Sequence, residues 1–163
     1  MVIPVGDRYA VGDLDACPMA TRSGPWRAVI HACKSPCHQT FVNYRGSLAP
    51  DHREYLWAQR GSELALNLID PPVPLFKVAS FICAMDFMDA FDDGEDRLLV
   101  HCNHGESRAC SIVLLYLARR LKVIPADDYA TARAAFEAMI PPGTYQPGKG
   151  ISIFLDQAWE ELL

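Results

Sequence analysis

The sequence predicts a single α/β domain in which helices flank one central sheet. Short apolar runs, typical of buried strands, alternate with longer segments of helical periodicity, and the chain ends in helices. The 163 residues suit one domain, residues 1–163, because a domain usually contains about 100–200 residues. Half of the residues are apolar and 21% are charged, a composition that supplies a sizeable core and excludes a disordered or fibrous chain.

The first predicted strand covers residues 26–32, which are almost entirely apolar. The sequence Lys34-Ser35-Pro36 interrupts this strand, because proline has no N–H to donate to a sheet. We expect residues 34–50 to be irregular and exposed.

A short helix and a second strand follow. Asp51 and Glu54 have the spacing of a capping box, which predicts a short helix ending near Gly61. Residues 63–69 predict the second strand. The three prolines among residues 70–74 resist both strand and helix, so they predict a loop that begins at Asp70.

The second half of the chain predicts one strand and four helices. Residues 75–91 have apolar side chains at helical spacing, and residues 97–101 form a short apolar strand. Residues 108–121 predict a helix that is apolar on nearly every side, which is typical of a helix at the centre of a fold. Two amphipathic helices are expected over 127–140 and 152–162.

The most informative residues lie where the strand at 97–101 meets the buried helix. Cys102 follows the strand, and Arg108 comes after five further residues. A loop between a strand and a helix N-terminus directs several backbone N–H groups into one concavity, which favours the thiolate form of a cysteine there and fits the oxygens of a phosphoryl group. The Arg108 guanidinium can bind two such oxygens, and Gly105 permits a tight backbone path.

This pattern resembles the signature of the protein tyrosine phosphatase superfamily. Gly105 and Ser107 also match the compact dual-specificity branch, whose signature is His-Cys-x-x-Gly-x-Ser-Arg-Ser. That family has a catalytic aspartate on a loop about thirty residues before the cysteine, and here Asp70 lies 32 residues before Cys102, on the proline-rich loop. The resemblance is strongest over residues 63–163 and implies a dual-specificity-phosphatase-like fold.

The resemblance implies a cysteine-dependent phosphoprotein phosphatase. Cys102 is the expected nucleophile, Asp70 the general acid and then the general base, and Arg108 the phosphate ligand. Phosphotyrosine is the expected substrate, with phosphoserine and phosphothreonine as further candidates. The expected phosphate-binding residues are Asn103, His104, Gly105, Glu106, Ser107 and Arg108, with His101 orienting the loop. The implied mechanism needs no metal and no cofactor.

One residue departs from the family pattern. The family has Ser or Thr directly after the arginine, where its hydroxyl contacts the cysteine sulfur, but this chain has Ala109. Ser111 does not replace that hydroxyl, because it lies about 200° around the helix from Ala109. Two alternatives follow: an enzyme that is slow in its second step, which we favour, or a pseudo-phosphatase that binds phosphorylated partners without turnover.

Charge narrows the class of partner. Lys and Arg number 15 against 20 Asp and Glu, a formal net charge of −5, and Glu106 adds a negative charge to the loop itself. Nucleic acids and other highly anionic substrates are therefore disfavoured, including the RNA 5′-triphosphate ends that some relatives hydrolyse. We expect a cytoplasmic monomer that acts on a phosphorylated protein or peptide and does not bind nucleic acid. We expect no membrane association, because no apolar run reaches the roughly 18 residues of a membrane span.

The six cysteines are expected to be mostly free thiols, with Cys102 the chemically active one. A zinc site formed by the Cys33-x3-Cys37-His38 sequence with His101 or His104 is the alternative. It is disfavoured because no second closely spaced pair of ligands is present, so residues 33–38 are expected to be surface loop residues.

Two further alternatives concern the pocket. Asp86 and Asp89 are other candidate acids, although their position in the helix at 75–91 predicts that they face solvent. His38, Tyr44 and Arg45 are candidates for the rim of the pocket, and a solvated loop is the equal alternative.

Overall fold

The computed structural model describes residues 1–18 and 25–163, and these form a six-stranded mixed sheet. The strands are β1 (Val2–Val5), β2 (Tyr9–Gly12), β3 (Trp26–His31), β4 (Trp57–Arg60), β5 (Glu63–Leu66) and β6 (Arg97–His101). Their order in the sheet is β1-β2-β6-β3-β5-β4. The four inner strands are parallel, whereas the edge strands β1 and β4 pair antiparallel with their neighbours. The predicted α/β class is confirmed.

The helices are α1 (Gln39–Val42), α2 (Val78–Phe91), α3 (Arg108–Leu115), α4 (Tyr129–Glu137) and α5 (Lys149–Ala158). A π-helical turn, Tyr116–Arg120, continues α3, and a 3₁₀ turn, Trp159–Glu161, continues α5. Every residue of α3 is buried, as its apolar sequence predicts. The Asp128 side chain accepts a hydrogen bond from the Thr131 N–H and so caps α4. None of the helices formed by the described residues is long and apolar enough to cross a membrane.

The two faces of the sheet carry layers of different thickness. One face packs against α2–α5 and forms the main core, which includes Ile30, Leu66 and Val100. Successive residues of a strand point to opposite faces, so Val29 and Leu99 lie on the second face, where the apolar cluster is small. Among the described residues, the second face therefore has fewer apolar contacts than the first.

The carboxyl ends of the four parallel strands meet at one edge of the sheet. These ends are Gly12, His31, Leu66 and His101, and the two histidines are paired in register on neighbouring strands. Open parallel sheets bind ligands at this edge, because the loops that leave it converge there. The Cys102 loop and the Asp70 loop both leave the sheet from this edge.

The structure corrects two local predictions. The helix expected over 51–61 is wrong, because Trp57–Arg60 is strand β4, which forms a hairpin with β5. Gly61 lies in the turn of that hairpin, with φ +60°, a conformation that glycine adopts easily. The segment at 34–50 is not wholly irregular and exposed, because Lys34–His38 forms a π-helical turn that leads into α1 and buries Cys37. The other predicted strands and helices are present with shifted ends.

Candidate active site

The loop between β6 and α3 forms the bottom of the candidate site. Cys102 follows β6 directly, is 2% exposed and anchors its backbone by donating a hydrogen bond to the Gly12 carbonyl at 3.1 Å. In the part of the chain that the structure describes, no group accepts a hydrogen bond from the backbone N–H groups of residues 103–107. These unsatisfied donors, at the N-terminus of the buried helix α3, are the elements of an anion-binding cradle.

Gly105 is required by the close approach of strand β2. Its φ is +75°, and a Cβ at this position would lie 2.9 Å from both the carbonyl carbon and the carbonyl oxygen of Gly12. Any other residue would therefore push the loop away from the strand or strain its backbone. The end of β2 is thus one wall of the loop that follows Cys102.

Two nitrogens of the Arg108 guanidinium are hydrogen-bonded, and the third has no partner among the described residues. It is 6% exposed, its Nη1 donates to the Leu68 carbonyl at 2.8 Å, and its Nη2 donates to Asn103 Oδ1 at 2.7 Å. Its Nε is buried and, among the described residues, has no acceptor. A buried guanidinium with an unpaired N–H is a site where an anion is stabilised.

The other predicted loop residues divide into those that frame the loop and those that face solvent. Asn103 donates from Nδ2 to the Ser35 carbonyl at 3.0 Å as well as accepting from Arg108. The Ser107 Oγ accepts a hydrogen bond from the Gly148 N–H at 2.9 Å. The side chains of His104 and Glu106 are exposed, so they lie where an approaching substrate would meet them.

Asp70 lies at the same edge through contacts that the sequence did not predict. Its loop packs against the start of α5: a Cβ on Gly148 would lie 2.5 Å from Asp70 Oδ1, and one on Gly150 would lie 2.2 Å from the carbonyl oxygens of Pro71 and Val73. Because Gly148 also bonds to Ser107, the Asp70 loop and the Cys102 loop share one support. The only sequence signal for this support is the pair of glycines after Pro147.

The side chains after Arg108 leave the sulfur without the hydroxyl that the family uses. Ala109 is fully buried, and Ser111 is bound elsewhere, because its Oγ is 2.8 Å from the Tyr145 hydroxyl. Cys110 donates from Sγ to the Gly105 carbonyl, and burial raises the pKa of its thiol to about 12. Cys110 is therefore a neutral structural thiol at physiological pH.

The alternative acids and rim residues have other roles. Asp86 and Asp89 are exposed on α2 and form ion pairs with Arg120, so they face solvent as predicted.

His38 is fully buried, with Nδ1 2.8 Å from the Tyr44 hydroxyl and Nε2 2.8 Å from the Glu54 carbonyl. Burial lowers the pKa of His38, which keeps it neutral. The rim position considered for His38 is therefore wrong.

A second cluster lies on the other face of the sheet, next to the Cys102 loop. The ligand atoms of Cys17, His31, Cys37 and His101 all lie within 4.8 Å of one another, and all four residues are buried. Hydrogen bonding by the Cys37 thiol, which outweighs the effect of burial, lowers the pKa of Cys17. Of the residues considered for zinc, Cys37 and His101 belong to this cluster, whereas Cys33, although buried, does not. His38 does not, and the His104 side chain is exposed.

Comparison with known proteins gives structural neighbours only. No protein-family model and no curated protein matches the chain. Among solved structures, the Yvh1 phosphatase domain from Chaetomium thermophilum matches with a TM-score of 0.65 and 14% identity, over 99% of this chain and 96% of that chain. Human DUSP28 matches with a TM-score of 0.63 and 17% identity, over 98% and 93%. The human tyrosine phosphatase-like serine/threonine/tyrosine-interacting protein matches with a TM-score of 0.62 and 19% identity, over 99% and 96%.

Proposed function

We propose that this chain, which has the fold of the compact dual-specificity phosphatases, is a phosphoprotein phosphatase that acts through a phosphocysteine on Cys102. One observation carries the proposal. Among the described residues, the backbone N–H groups of residues 103–107 and the Nε–H of Arg108 have no acceptor, and they belong to the loop and helix start that follow the nearly buried Cys102. A bound phosphoryl group supplies the missing acceptors, and the same donors stabilise the charge that spreads over its oxygens during transfer.

In the first step the Cys102 thiolate attacks phosphorus. A P–S bond forms as the P–O bond to the leaving group breaks, and the leaving oxygen takes the proton of the Asp70 carboxyl. The exposed position of Asp70, on a loop held by Gly148 and Gly150, suits this role because the leaving group faces solvent.

In the second step a water molecule attacks the phosphocysteine. The Asp70 carboxylate takes a proton from the water, a new P–O bond forms, and the P–S bond breaks to release inorganic phosphate and the thiolate. The buried Ala109 offers no hydroxyl to the departing sulfur, and Ser111 is bound to Tyr145. The second step is therefore the slow one.

Charge supports a phosphorylated protein or peptide as the substrate. The exposed Glu106 side chain lies on the loop, and the chain carries a net charge of −5, so an RNA 5′-triphosphate end would be repelled. A single phosphoryl group on a tyrosine, serine or threonine side chain meets less repulsion than a triphosphate. We propose a monomer that works in the cytoplasm.

A second candidate function rests on the same alanine. If the missing hydroxyl slows the second step enough, the chain binds phosphorylated partners without turnover. The intact set of Cys102, Arg108 and Asp70 favours the enzyme.

The test is hydrolysis of a generic aryl phosphate by wild-type protein, Cys102→Ser and the matched control Cys83→Ser, which replaces a half-buried thiol on α2. We expect turnover by wild type and by Cys83→Ser, and none by Cys102→Ser, while calorimetry shows that all three bind inorganic phosphate. A Cys102→Ser protein with a tenth of the wild-type activity would exclude Cys102 as the nucleophile. Phosphate binding by a wild-type protein that hydrolyses no phosphate ester would establish the second candidate.

A further inference from the structure

The Cys17, His31, Cys37 and His101 cluster has the composition of a metal site and no part in the proposed chemistry. Cys17 follows the 3₁₀ turn after β2, His31 and His101 end neighbouring strands, and Cys37 lies in the π-helical turn after β3. The four side chains are at most 3% exposed. Because side chains alternate along a strand, His101 points to the opposite face of the sheet from Cys102, whose side chain belongs to the main core.

Three of the six distances between the ligand atoms are near those of tetrahedral zinc, and all six are within 4.8 Å. Tetrahedral zinc bonds of about 2.0–2.1 Å to nitrogen and 2.3 Å to sulfur place the ligand atoms roughly 3.3–3.8 Å apart. Here Cys17 Sγ lies 3.4 Å from His31 Nδ1 and 3.9 Å from Cys37 Sγ, and Cys37 Sγ lies 3.9 Å from His101 Nε2. The two ring nitrogens are closer, at 2.6 Å, and would separate by about 0.7 Å around an ion.

The outer atoms of both histidine rings have the partners that metal-bound histidines have. His31 Nε2 lies 2.9 Å from Glu63 Oε1, and because a carboxylate only accepts, His31 Nε2 is the donor. His101 Nδ1 faces the Cys102 carbonyl at 3.4 Å, which also can only accept. When both rings are neutral with their N–H groups directed outward, the two inner nitrogens point their lone pairs at each other, and a cation between them removes the repulsion. Histidine ligands of zinc commonly donate their second N–H to a carboxylate or a backbone carbonyl in this way.

The thin second layer of the sheet supplies a physical reason for a metal. In the part of the chain that the structure describes, the apolar cluster on this face consists of three buried residues, Ala10, Val29 and Leu99, whereas the opposite face carries the large core. Structural zinc stabilises packing where apolar burial is limited, and its sites use four protein ligands of the Cys₂His₂ kind.

We propose that Cys17, His31, Cys37 and His101 bind one structural Zn²⁺ ion. On binding, the thiols that carry protons release them, and four metal–ligand bonds form with no change of oxidation state. All four coordination positions are taken by protein, so the ion holds no water for catalysis. Its role is to fix the end of β6, and with it the start of the Cys102 loop, to β3 and to the segments after β2 and β3.

The test measures metal in the full-length protein, purified without chelator and with any affinity tag removed. We expect about one zinc per chain, as a closed four-ligand site requires, in wild type, Cys83→Ala and Cys102→Ser. Cys37→Ala and His31→Ala should lose it. The Cys102→Ser variant separates this proposal from the proposed function, because it should abolish turnover and leave zinc content unchanged.

Spectroscopy on wild type keeps the test decisive if the ligand variants do not fold. X-ray absorption at the zinc edge should show two sulfur neighbours at about 2.3 Å and two nitrogen neighbours at about 2.0 Å. Cobalt added to the reduced, metal-free protein should give the intense visible bands of tetrahedral Co²⁺ with thiolate charge transfer.

Three results would overturn the proposal. One is wild-type protein without zinc that also gives no tetrahedral cobalt spectrum. Another is a metal that Cys37→Ala retains with its coordination unchanged. The third is a disulfide between Cys17 and Cys37 with no metal bound, detected as a loss of two hydrogens and located by mapping the peptides of the non-reduced protein.

Discussion

Replacing Gly150 by alanine tests whether the start of α5 positions the general acid. The added Cβ would lie 2.2 Å from the carbonyl oxygens of Pro71 and Val73, whereas ordinary contacts begin near 3.4 Å. The loop that carries Asp70 must then move by about 1 Å, and a shift of that size at a catalytic group costs about 10²-fold in rate. We therefore expect Gly150→Ala to lower kcat/KM for an ester with a poor leaving group about 100-fold. The value of kcat/KM reports the steps up to release of the leaving group, so it responds to the acid even though the second step limits kcat.

The assay compares an alkyl phosphate with an activated aryl phosphate. A displaced acid matters most for the alkyl ester, because its leaving oxygen must be protonated as the bond breaks. The loss should therefore be large for the alkyl ester and small for the aryl ester. Ser152→Ala, two residues along the same helix, is the matched control and should keep wild-type rates on both.

Two further measurements separate a positioning effect from a loss of fold. Overpacking costs about 1–3 kcal/mol, and replacing glycine by alanine within a helix returns up to about 1 kcal/mol, so the thermal midpoint should fall only modestly. The double variant with Asp70→Asn should be no slower than Asp70→Asn alone, because both changes remove the same group. Equal losses on the two esters, or additive losses in the double variant, would show that Gly150→Ala does not act through the position of Asp70.

Three other predictions follow from the site. Asp70→Asn should lower kcat/KM, which reports the first step, by about 10²–10⁴-fold for an alkyl phosphate and by less for an activated aryl phosphate. Equal losses of kcat/KM on the two esters would point to a binding role. Ala109→Ser should place a hydroxyl beside the sulfur, and its hydrogen bond is worth about 1.5–3 kcal/mol. Steady-state turnover should therefore rise about ten- to a hundred-fold in the variant. Rapid mixing should show a burst of phenol in wild type and a smaller burst in Ala109→Ser. A wild type without a burst would show that the second step is not limiting. Asn103→Ala removes the acceptor that holds Arg108 Nη2. The affinity for inorganic phosphate, measured by calorimetry, should therefore fall about tenfold. An unchanged affinity would show that the Leu68 carbonyl alone holds the guanidinium.

The parts of the fold that local sequence determines were predictable. Strand β6 and the buried helix after it follow from apolar runs, and the Cys102 loop follows from the residues between them. The hairpin of β4 and β5 was missed because the capping spacing of Asp51 and Glu54 favours a helix locally, whereas pairing with β5 decides the structure. Such pairing is a tertiary effect that overrides local propensity.

The candidate site also contains a part that the sequence predicts and a part that it does not. Cys102 and Arg108 are close in the sequence, so the loop between them predicts their geometry. The support of Asp70 by Gly148 and Gly150 was not predictable, because it joins segments far apart in the chain.

The Cys/His cluster was not predictable as a whole, because each ligand comes from a different element. The in-register pairing of β3 with β6 brings His31 beside His101, and a sequence search for closely spaced ligand pairs does not detect that arrangement.

A phosphoryl group found on Cys102 is the most direct evidence that this residue is the nucleophile. Protein mixed with an activated aryl phosphate, quenched in acid during turnover and digested, should yield a Cys102 peptide heavier by one phosphoryl group. Because Ala109 slows the second step, we expect most wild-type molecules to carry this group in the steady state and fewer molecules of Ala109→Ser to carry it. Steady-state hydrolysis with the peptide unmodified in both proteins, or with the phosphoryl group on another residue, would contradict it.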